Sequence, residues 1–417
     1  MFANYYIDRF TEKRELIADA PSFDLNMSVV IPAFNEPNLL KTLESLLQCD
    51  ITQKAVEIIV VLNYSVDTTE HWQTFHQNQY NELCEWSKLH STTQRKFHIL
   101  LEKLPGKHAG VGLARKTGMD EAVRRFNLLN KPTGIVVGFD ADCSCDNNYL
   151  LEIEFFFSEK RKINGCSIYF EHPLSGNEYD KEVYESIVLY ELYLRYYIAG
   201  LRYAGLPYAY HTIGSSFAVS AEAYIKQGGM NRLKAGEDFY FLHKIIALGN
   251  YYNLNSTTVR PSPRKSDRVP FGTGAAITKM LNSSDVEYLT FDPQVFSNVK
   301  KLTDSIERAY HSTQNFLECL DNELCQFLKL KGIESKLEQI RQNCSTQANF
   351  AKRFLQWFDG LMVLQYFNST LESTYKPMPI REAAIAMLKI IEKKTDSLDP
   401  LDLLLKFRAI DKKLFGQ

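Results

Sequence analysis

The sequence predicts an α/β fold, a doubly wound and mostly parallel sheet, followed by a C-terminal α-helical appendage. Short apolar runs rich in valine and isoleucine recur early in the chain with helical patterns between them. That alternation suits a parallel sheet buried between helix layers. One run, Gly134-Ile135-Val136-Val137-Gly138-Phe139, ends abruptly in Asp140-Ala141-Asp142, which puts acids at the carboxyl edge where open α/β sheets bind ligands. Beyond roughly Ala276 the strand signals vanish and amphipathic helical patterns take over.

After a polar lead-in over residues 1–26, Ser28-Val29-Val30-Ile31-Pro32 reads as the first strand. Pro37 to Leu47 reads as a helix, with proline early and leucines at helical spacing. Val56 to Leu62 is a second strand and Phe97 to Leu101 a third, and a helix from about Val111 to Phe126 leads into the run ending at Asp140. From about Glu178 to Tyr203 tyrosine and leucine recur at mixed helical spacing, and Arg195 and Arg202 make the stretch a poor membrane span. Helical patterns continue through Phe354 to Leu361 and Ile385 to Ile391, and Asp399-Pro400 opens a last helix. The division expected is a lead-in at 1–26, a catalytic α/β domain at 27–275 and an α-helical region at 276–417.

A chain of 417 residues exceeds the size at which one core stops growing. Its 45% hydrophobic and 24% charged residues are those of an ordinary globular protein. A net charge of −2 argues against a general nucleic-acid binder. The eight cysteines form no regular disulfide framework and suit reduced thiols. Cys143-Ser144-Cys145 lacks the second Cys/His pair of a zinc site. The N-terminus lacks a signal-peptide pattern, and no stretch of about 18 uncharged apolar residues occurs. A cytoplasmic protein is expected, with any membrane association peripheral and through partners.

An unpaired buried carboxylate is costly, so Asp140 and Asp142 ask for a partner such as a divalent cation bridging to a diphosphate. The bland alternative is a solvated turn. Pro32-Ala33-Phe34-Asn35-Glu36 ends the first strand on the same edge and suits a nucleotide base and ribose, although any strand hands over to a helix through such a turn. Lys107 to Gly118 combines a flexible glycine-bearing entry with cations, Lys107 and Arg115 among them, that can meet phosphates; a solvated basic helix face is the alternative. Gly236-Glu237-Asp238 delivers adjacent acids to the start of an apolar helix, as a cap or as the separate general base of a metal-assisted transfer. Arg260 to Gly274 carries four cations before Val269 and suits a mobile loop closing over a diphosphate, with Arg264 or Arg268 on the departing charge, or else an exposed linker. His211, Gly214 and Ser215 belong to a polar run that interrupts an apolar region and suits the acceptor side. His211 or His243 can complete a metal shell, though a lone histidine is more often structural. Tyr193, Tyr196, Tyr197, Tyr203, Tyr208 and Tyr210 offer sugar-stacking faces or, more commonly, packing.

In order and spacing these segments resemble the inverting glycosyltransferases of family 2, which have the GT-A fold and use nucleotide-activated sugars. The resemblance covers roughly residues 27 to 275. It implies that Asp142 ligates the metal, that Asp140 meets ribose or metal, that Asp238 deprotonates the acceptor hydroxyl and that Glu237 orients acceptor or base. Family members usually carry an aspartate-rich turn after the second strand; here Leu62-Asn63-Tyr64-Ser65-Val66-Asp67 stands there, so Asn63 is expected in place of the usual base-binding carboxylate and the nucleotide stays open. The implied cofactor is Mn2+ or Mg2+, the donor a nucleotide-sugar with a UDP-sugar foremost, and the acceptor a sugar or glycan. The helical region is read as dimerising, covering the acceptor site or recruiting another enzyme. Two rivals stand beside this reading: a sugar-phosphate nucleotidyltransferase, which would need a glycine-rich basic loop after the first strand, and a non-catalytic nucleotide-binding scaffold.

Overall fold

In a computed structural model the chain is described at residues 1–12, 14–159, 162–266, 268, 270–283, 287–392 and 398–413. It divides into two compact units, residues 1–179 with 212–275 and 410–417, and residues 180–211 with 276–409. The helix over the Glu178–Tyr203 region therefore counts with the second unit.

The first unit begins with α1 (Asn4–Phe10), β1 (Met27–Ala33), α2 (Leu39–Leu47), β2 (Val56–Ser65), α3 (Glu70–His90), β3 (Arg95–Leu104) and α4 (Val111–Leu128). β4 (Ile135–Gly138), β5 (Ser144–Cys145), α5 (Tyr149–Glu159) and β6 (Gly165–Phe170) follow. After α6 (Lys181–Tyr203), β7 (Phe217–Ser220), α7 (Ala221–Lys226), α8 (Glu237–Ile246) and β8 (Tyr251–Arg260) complete the α/β part, and α9 (Thr273–Leu281) begins in this unit and counts from Ala276 with the second. One eight-stranded sheet runs in the order β3-β2-β1-β4-β7-β6-β8-β5. Parallel pairing joins β3, β2, β1 and β4, and also β6 and β8, while β7 and β5 run antiparallel to their neighbours. The mostly parallel α/β sheet with helices and a helical C-terminal region is the fold expected. β6, β7, β8 and α3 are additions that the apolar pattern did not announce.

The valine- and isoleucine-rich strands explain why this sheet is interior. All seven residues of β1 and the first eight of β2 are buried, so both faces are covered. Helix α4 crosses β1 and β2 closely because of Gly118, where a Cβ would lie 2.5 Å from Val30 and 2.9 Å from Val61. It is no solvated basic face: Arg115 is 1% and Lys116 5% exposed. Lys116 Nζ pairs with Asp120 at 2.8 Å and donates to the Tyr6 hydroxyl at 2.9 Å. Asp120 also accepts the hydroxyls of Tyr6 and Tyr224 at 2.7 and 2.8 Å, which fastens α1 and α7 to α4. One turn further on, Arg125 meets Glu57 of β2 through two bonds of 2.6 Å.

The second unit holds α6 and the later elements: β9 (Leu289–Thr290), α10 (Pro293–Asp304), α11 (Ile306–His311), α12 (Thr313–Leu317), α13 (Asn322–Leu330), α14 (Ile333–Gln342), α15 (Gln347–Trp357), α16 (Gly360–Leu371), β10 (Met378–Pro379) and α17 (Ile380–Glu392). The last helix, α18 (Pro400–Lys412), begins in this unit. The β9–β10 bridge is a small departure from the purely helical expectation. Tyr196 and Tyr208 are buried and donate to the carbonyl oxygens of Phe291 and Phe358 at 2.6 and 2.8 Å, so these tyrosines serve packing. A fully buried Glu191 accepts from Arg195 and Arg408. Among the described residues no helix is long and apolar enough to cross a membrane.

Candidate active site

The parallel register brings the carboxyl ends of β1, β2 and β4 to one edge. β1 pairs with β4 up to Val30 and runs on through Pro32 and Ala33, both buried. Asn35 then takes a φ of 47°, a left-handed turn that asparagine tolerates better than most residues. The turn carries Glu36 into the interior, where it is 2% exposed. Asn63 is buried in β2 and its amide nitrogen donates to the Ala33 carbonyl oxygen at 2.9 Å, so it ties the two strand ends together. Beyond β4 the chain bends at once, with the Cys143 N–H donating to the Asp140 carbonyl oxygen, and Asp140 and Asp142 sit in that turn rather than on the strand.

Arg115, one turn into α4, links the two acid clusters foreseen from the sequence. Its Nη2 donates to Asp140 Oδ1 at 2.5 Å and its Nη1 to Glu237 Oε1. The guanidinium is buried, yet Asp140, Glu237 and Asp238 outweigh the burial and raise its pKa. Two glycines make the approach close. A Cβ on Gly112 would lie 2.2 Å from the Leu233 carbonyl oxygen, and one on Gly214 would lie 2.6 Å from Arg115 Nη2. Gly112, in the segment expected to be a flexible entry, serves close contact instead. Gly214→Ala is therefore expected to push Arg115 off its partners and to cost about 1–3 kcal/mol in a urea unfolding curve, as overpacking does.

Gly236, at φ 71°, turns the chain into α8. The first turn of that helix places Glu237 and Asp238 where the helix dipole favours negative charge. Asp238 Oδ1 accepts its neighbour's N–H, that of Phe239, at 2.8 Å. Burial first, and the adjacent Glu237 carboxylate second, push the Asp238 carboxyl up to about 7, against the opposing pull of Arg115. A carboxyl near neutrality is matched to proton transfer at neutral pH.

The basic loop after β8 also reaches the acid turn. Arg264 Nε donates to Asp142 Oδ2 at 2.9 Å and its Nη2 to Glu36 Oε2. Arg268 donates to the same Glu36 oxygen at 3.1 Å and to the Phe34 carbonyl oxygen at 2.8 Å. Asp267 and Val269 of this loop lie outside the described residues. Asp142 has its pKa raised, by burial first and by the Asp140 and Glu36 carboxylates, against Arg264.

Other expected site residues are placed elsewhere or differently. Lys107 is exposed, with no ion pair among the described residues. Gly214 and Ser215 are buried beside the Arg115 junction, whereas His211 counts with the second unit. His243 packs on the Phe239 ring at 4.2 Å. Among the described residues no three His, Cys, Asp or Glu side chains converge on a metal position, so neither histidine completes such a set. Sequence reasoning missed Thr42 and Ser45 of α2, which bond to the acid turn at the Ala141 carbonyl oxygen and the Cys145 N–H. Their signal was a pair of hydroxyl residues three apart in a leucine-rich helix.

The model for Glycosyl transferase family 2 matches residues 28–224. No curated protein sequence matches the chain. Among solved structures, residues 1–349 of S. aureus TarS in complex with UDP-GlcNAc align at 13% identity over 80% of this chain and 91% of that one, with a TM-score of 0.40. A mannosyltransferase from Pyrobaculum calidifontis in complex with GDP-Man and Mn2+ aligns at 14% identity over 97% and 86%, with a TM-score of 0.38. Glucosyl-3-phosphoglycerate synthase from Mycobacterium tuberculosis in complex with Mn2+, UDP-glucose and phosphoglyceric acid aligns at 18% identity over 56% and 70%, with a TM-score of 0.32. The matched stretch runs from β1 through the Asp140–Asp142 turn to α7 and stops before α8; it is a glycosyl transferase family 2 domain, and the chain that carries it is a glycosyltransferase.

Proposed function

We propose that the chain is a metal-dependent, inverting glycosyltransferase that moves a sugar from a nucleotide-diphosphate donor, a UDP-sugar foremost, to a hydroxyl of a sugar or glycan. The observation that carries this reading is the Arg115 junction. One guanidinium bonds both Asp140, beside Asp142, and Glu237, beside Asp238.

The charge balance supports a cation. Five carboxylates, those of Glu36, Asp140, Asp142, Glu237 and Asp238, meet three guanidinium groups, those of Arg115, Arg264 and Arg268. Asp140 and Asp142 fit Mn2+ or Mg2+, an ion that commonly takes one or two carboxylates and completes its shell with substrate phosphates and water. When bound, the ion would offset charge on the diphosphate leaving group.

The remaining steps fall to the chain's own groups. Asp238 accepts the proton of the acceptor hydroxyl as that oxygen attacks the anomeric carbon, and Arg115 favours its ionised form. Arg264 and Arg268 can exchange their bonds to Asp142 and Glu36 for bonds to diphosphate oxygens, since guanidinium forks match phosphate as well as carboxylate. A single displacement from the face opposite the leaving group inverts the anomeric centre.

Thermal-shift screening of UDP- and GDP-sugars with and without Mn2+ tests the donor half of this account. The native chain should show a metal-dependent rise in melting temperature, and Asp142→Ala should lose it. An undiminished metal-dependent rise in that variant would remove Asp142 from the metal.

A further inference from the structure

Helix α2 and its C-terminal turn present Thr42, Ser45 and Cys49 at spacings of three and four, the spacing of one helix face. Each meets the segment from the acid turn into β5. Thr42 Oγ1 donates to the Ala141 carbonyl oxygen at 2.8 Å, the Cys145 N–H donates to Ser45 Oγ at 2.9 Å, and Cys49 Sγ lies 3.6 Å from Cys145 Sγ. Behind Cys49, Arg95 donates to the carbonyl oxygens of Leu46, Leu47, Cys49 and Asp50 at 2.6–3.0 Å. It thereby caps the negative end of α2 and sets a guanidinium beside the thiol. The hydrogen bond from Cys145 lowers the Cys49 thiol against the effect of burial, and Arg95 adds to the lowering. No third His, Cys, Asp or Glu converges on the two sulfurs among the described residues, so a metal site is not what the pair offers.

We propose that Cys49 and Cys145 are a thiol–disulfide pair, a modification site for hydroperoxides that fastens α2 covalently to β5, three residues beyond Asp142. Cys49 is 5% exposed and Cys145 half-buried, so the oxidant must be small, and hydrogen peroxide fits. The Cys49 thiolate attacks one peroxide oxygen, the O–O bond breaks, and the departing hydroxide takes up a proton to leave as water. The resulting sulfenic acid is then attacked by the Cys145 sulfur; the S–O bond breaks, and a second water carries away the Cys145 proton. Two thiols give up two electrons, and one peroxide becomes two waters. A disulfide is about 2.05 Å long, so the sulfurs have to close by roughly 1.5 Å. Cys143 serves as an internal control, because its sulfur is directed to Asp142 Oδ1, at 3.8 Å, rather than to the pair.

The test treats the reduced full-length chain with hydrogen peroxide, blocks the remaining thiols with N-ethylmaleimide and maps peptides without reductant. The expected product is a Cys49–Cys145 linked peptide, lighter by two hydrogen atoms than the two thiol peptides together and abolished by dithiothreitol. The linked chain should melt at a higher temperature, since the crosslink closes a long loop. In Cys145→Ser a dimedone adduct should collect on Cys49, and in Cys49→Ser none should form on Cys145. Recovery of both cysteines as maleimide adducts after the half-buried Cys84 or Cys344 has oxidised, or linkage to Cys143 instead, overturns the proposal. The mapping uses the native sequence and so does not depend on how the serine variants fold.

Discussion

Asp238→Asn is expected to leave a folded chain that binds donor and transfers sugar about 10²–10⁴-fold more slowly, the range a positioned general base supplies. Asparagine keeps the shape and can still accept the Phe239 N–H, so the helix start survives while the proton acceptor is lost. In the native chain kcat/KM should rise with pH through about 7 as Asp238 ionises. Stability should run the opposite way. The folded value of about 7 lies above the ordinary 3.8, so the folded state binds the extra proton between the two. This contribution is full below about 3.8 and is lost as pH rises through about 7. Urea midpoints of the native and Asp238→Asn chains across that window should diverge, with only the native chain carrying this loss. Normal turnover by the variant would remove Asp238 as the base.

Arg115→Met carries the second large effect. The substitution leaves Asp140 and the buried Glu237 without their shared cation, and breaking a buried ion pair costs roughly 3–5 kcal/mol. It also removes the charge that holds Asp238 down, so the pH–rate profile should move to higher pH and neutral activity should fall. Arg115→Lys should recover part of the stability, because an ammonium restores the charge but not the fork that reaches two carboxylates. Chemical unfolding and the pH–rate profile read the two effects separately. A Met variant with native stability and an unmoved profile would show that the junction holds neither acid in place.

Much of this site was legible in the sequence because each part is a strand end or a helix start with an abrupt change from apolar to charged residues. Val30 to Glu36, Asp140-Ala141-Asp142 and Gly236-Glu237-Asp238 are all of that kind. The partners of these residues were not legible, because they come from pairing across 122 to 228 positions, as Arg115 with Glu237 and Arg264 with Glu36. Lys116 reads as a surface cation until Tyr6 and Asp120 are placed around it. Strand β8 escaped notice because Asn253, Asn255, Ser256 and the two threonines interrupt its apolar pattern. Helix α3 escaped because its polar residues leave no continuous apolar stripe. The need for glycine at position 214 depends wholly on where the Arg115 side chain comes to rest.

The central claim concerns the direction of attack on a nucleotide-linked sugar, and the anomeric configuration of the first product reads it. Proton NMR at early times, with UDP- and GDP-sugars, Mn2+ and either water or a sugar acceptor, follows the anomeric signal as the nucleoside diphosphate is released. From an α-linked donor the account predicts a β product, formed only with metal and lost in Asp238→Asn. An α product, or pyrophosphate released from a nucleoside triphosphate and a sugar phosphate with no transfer from any donor, would contradict it.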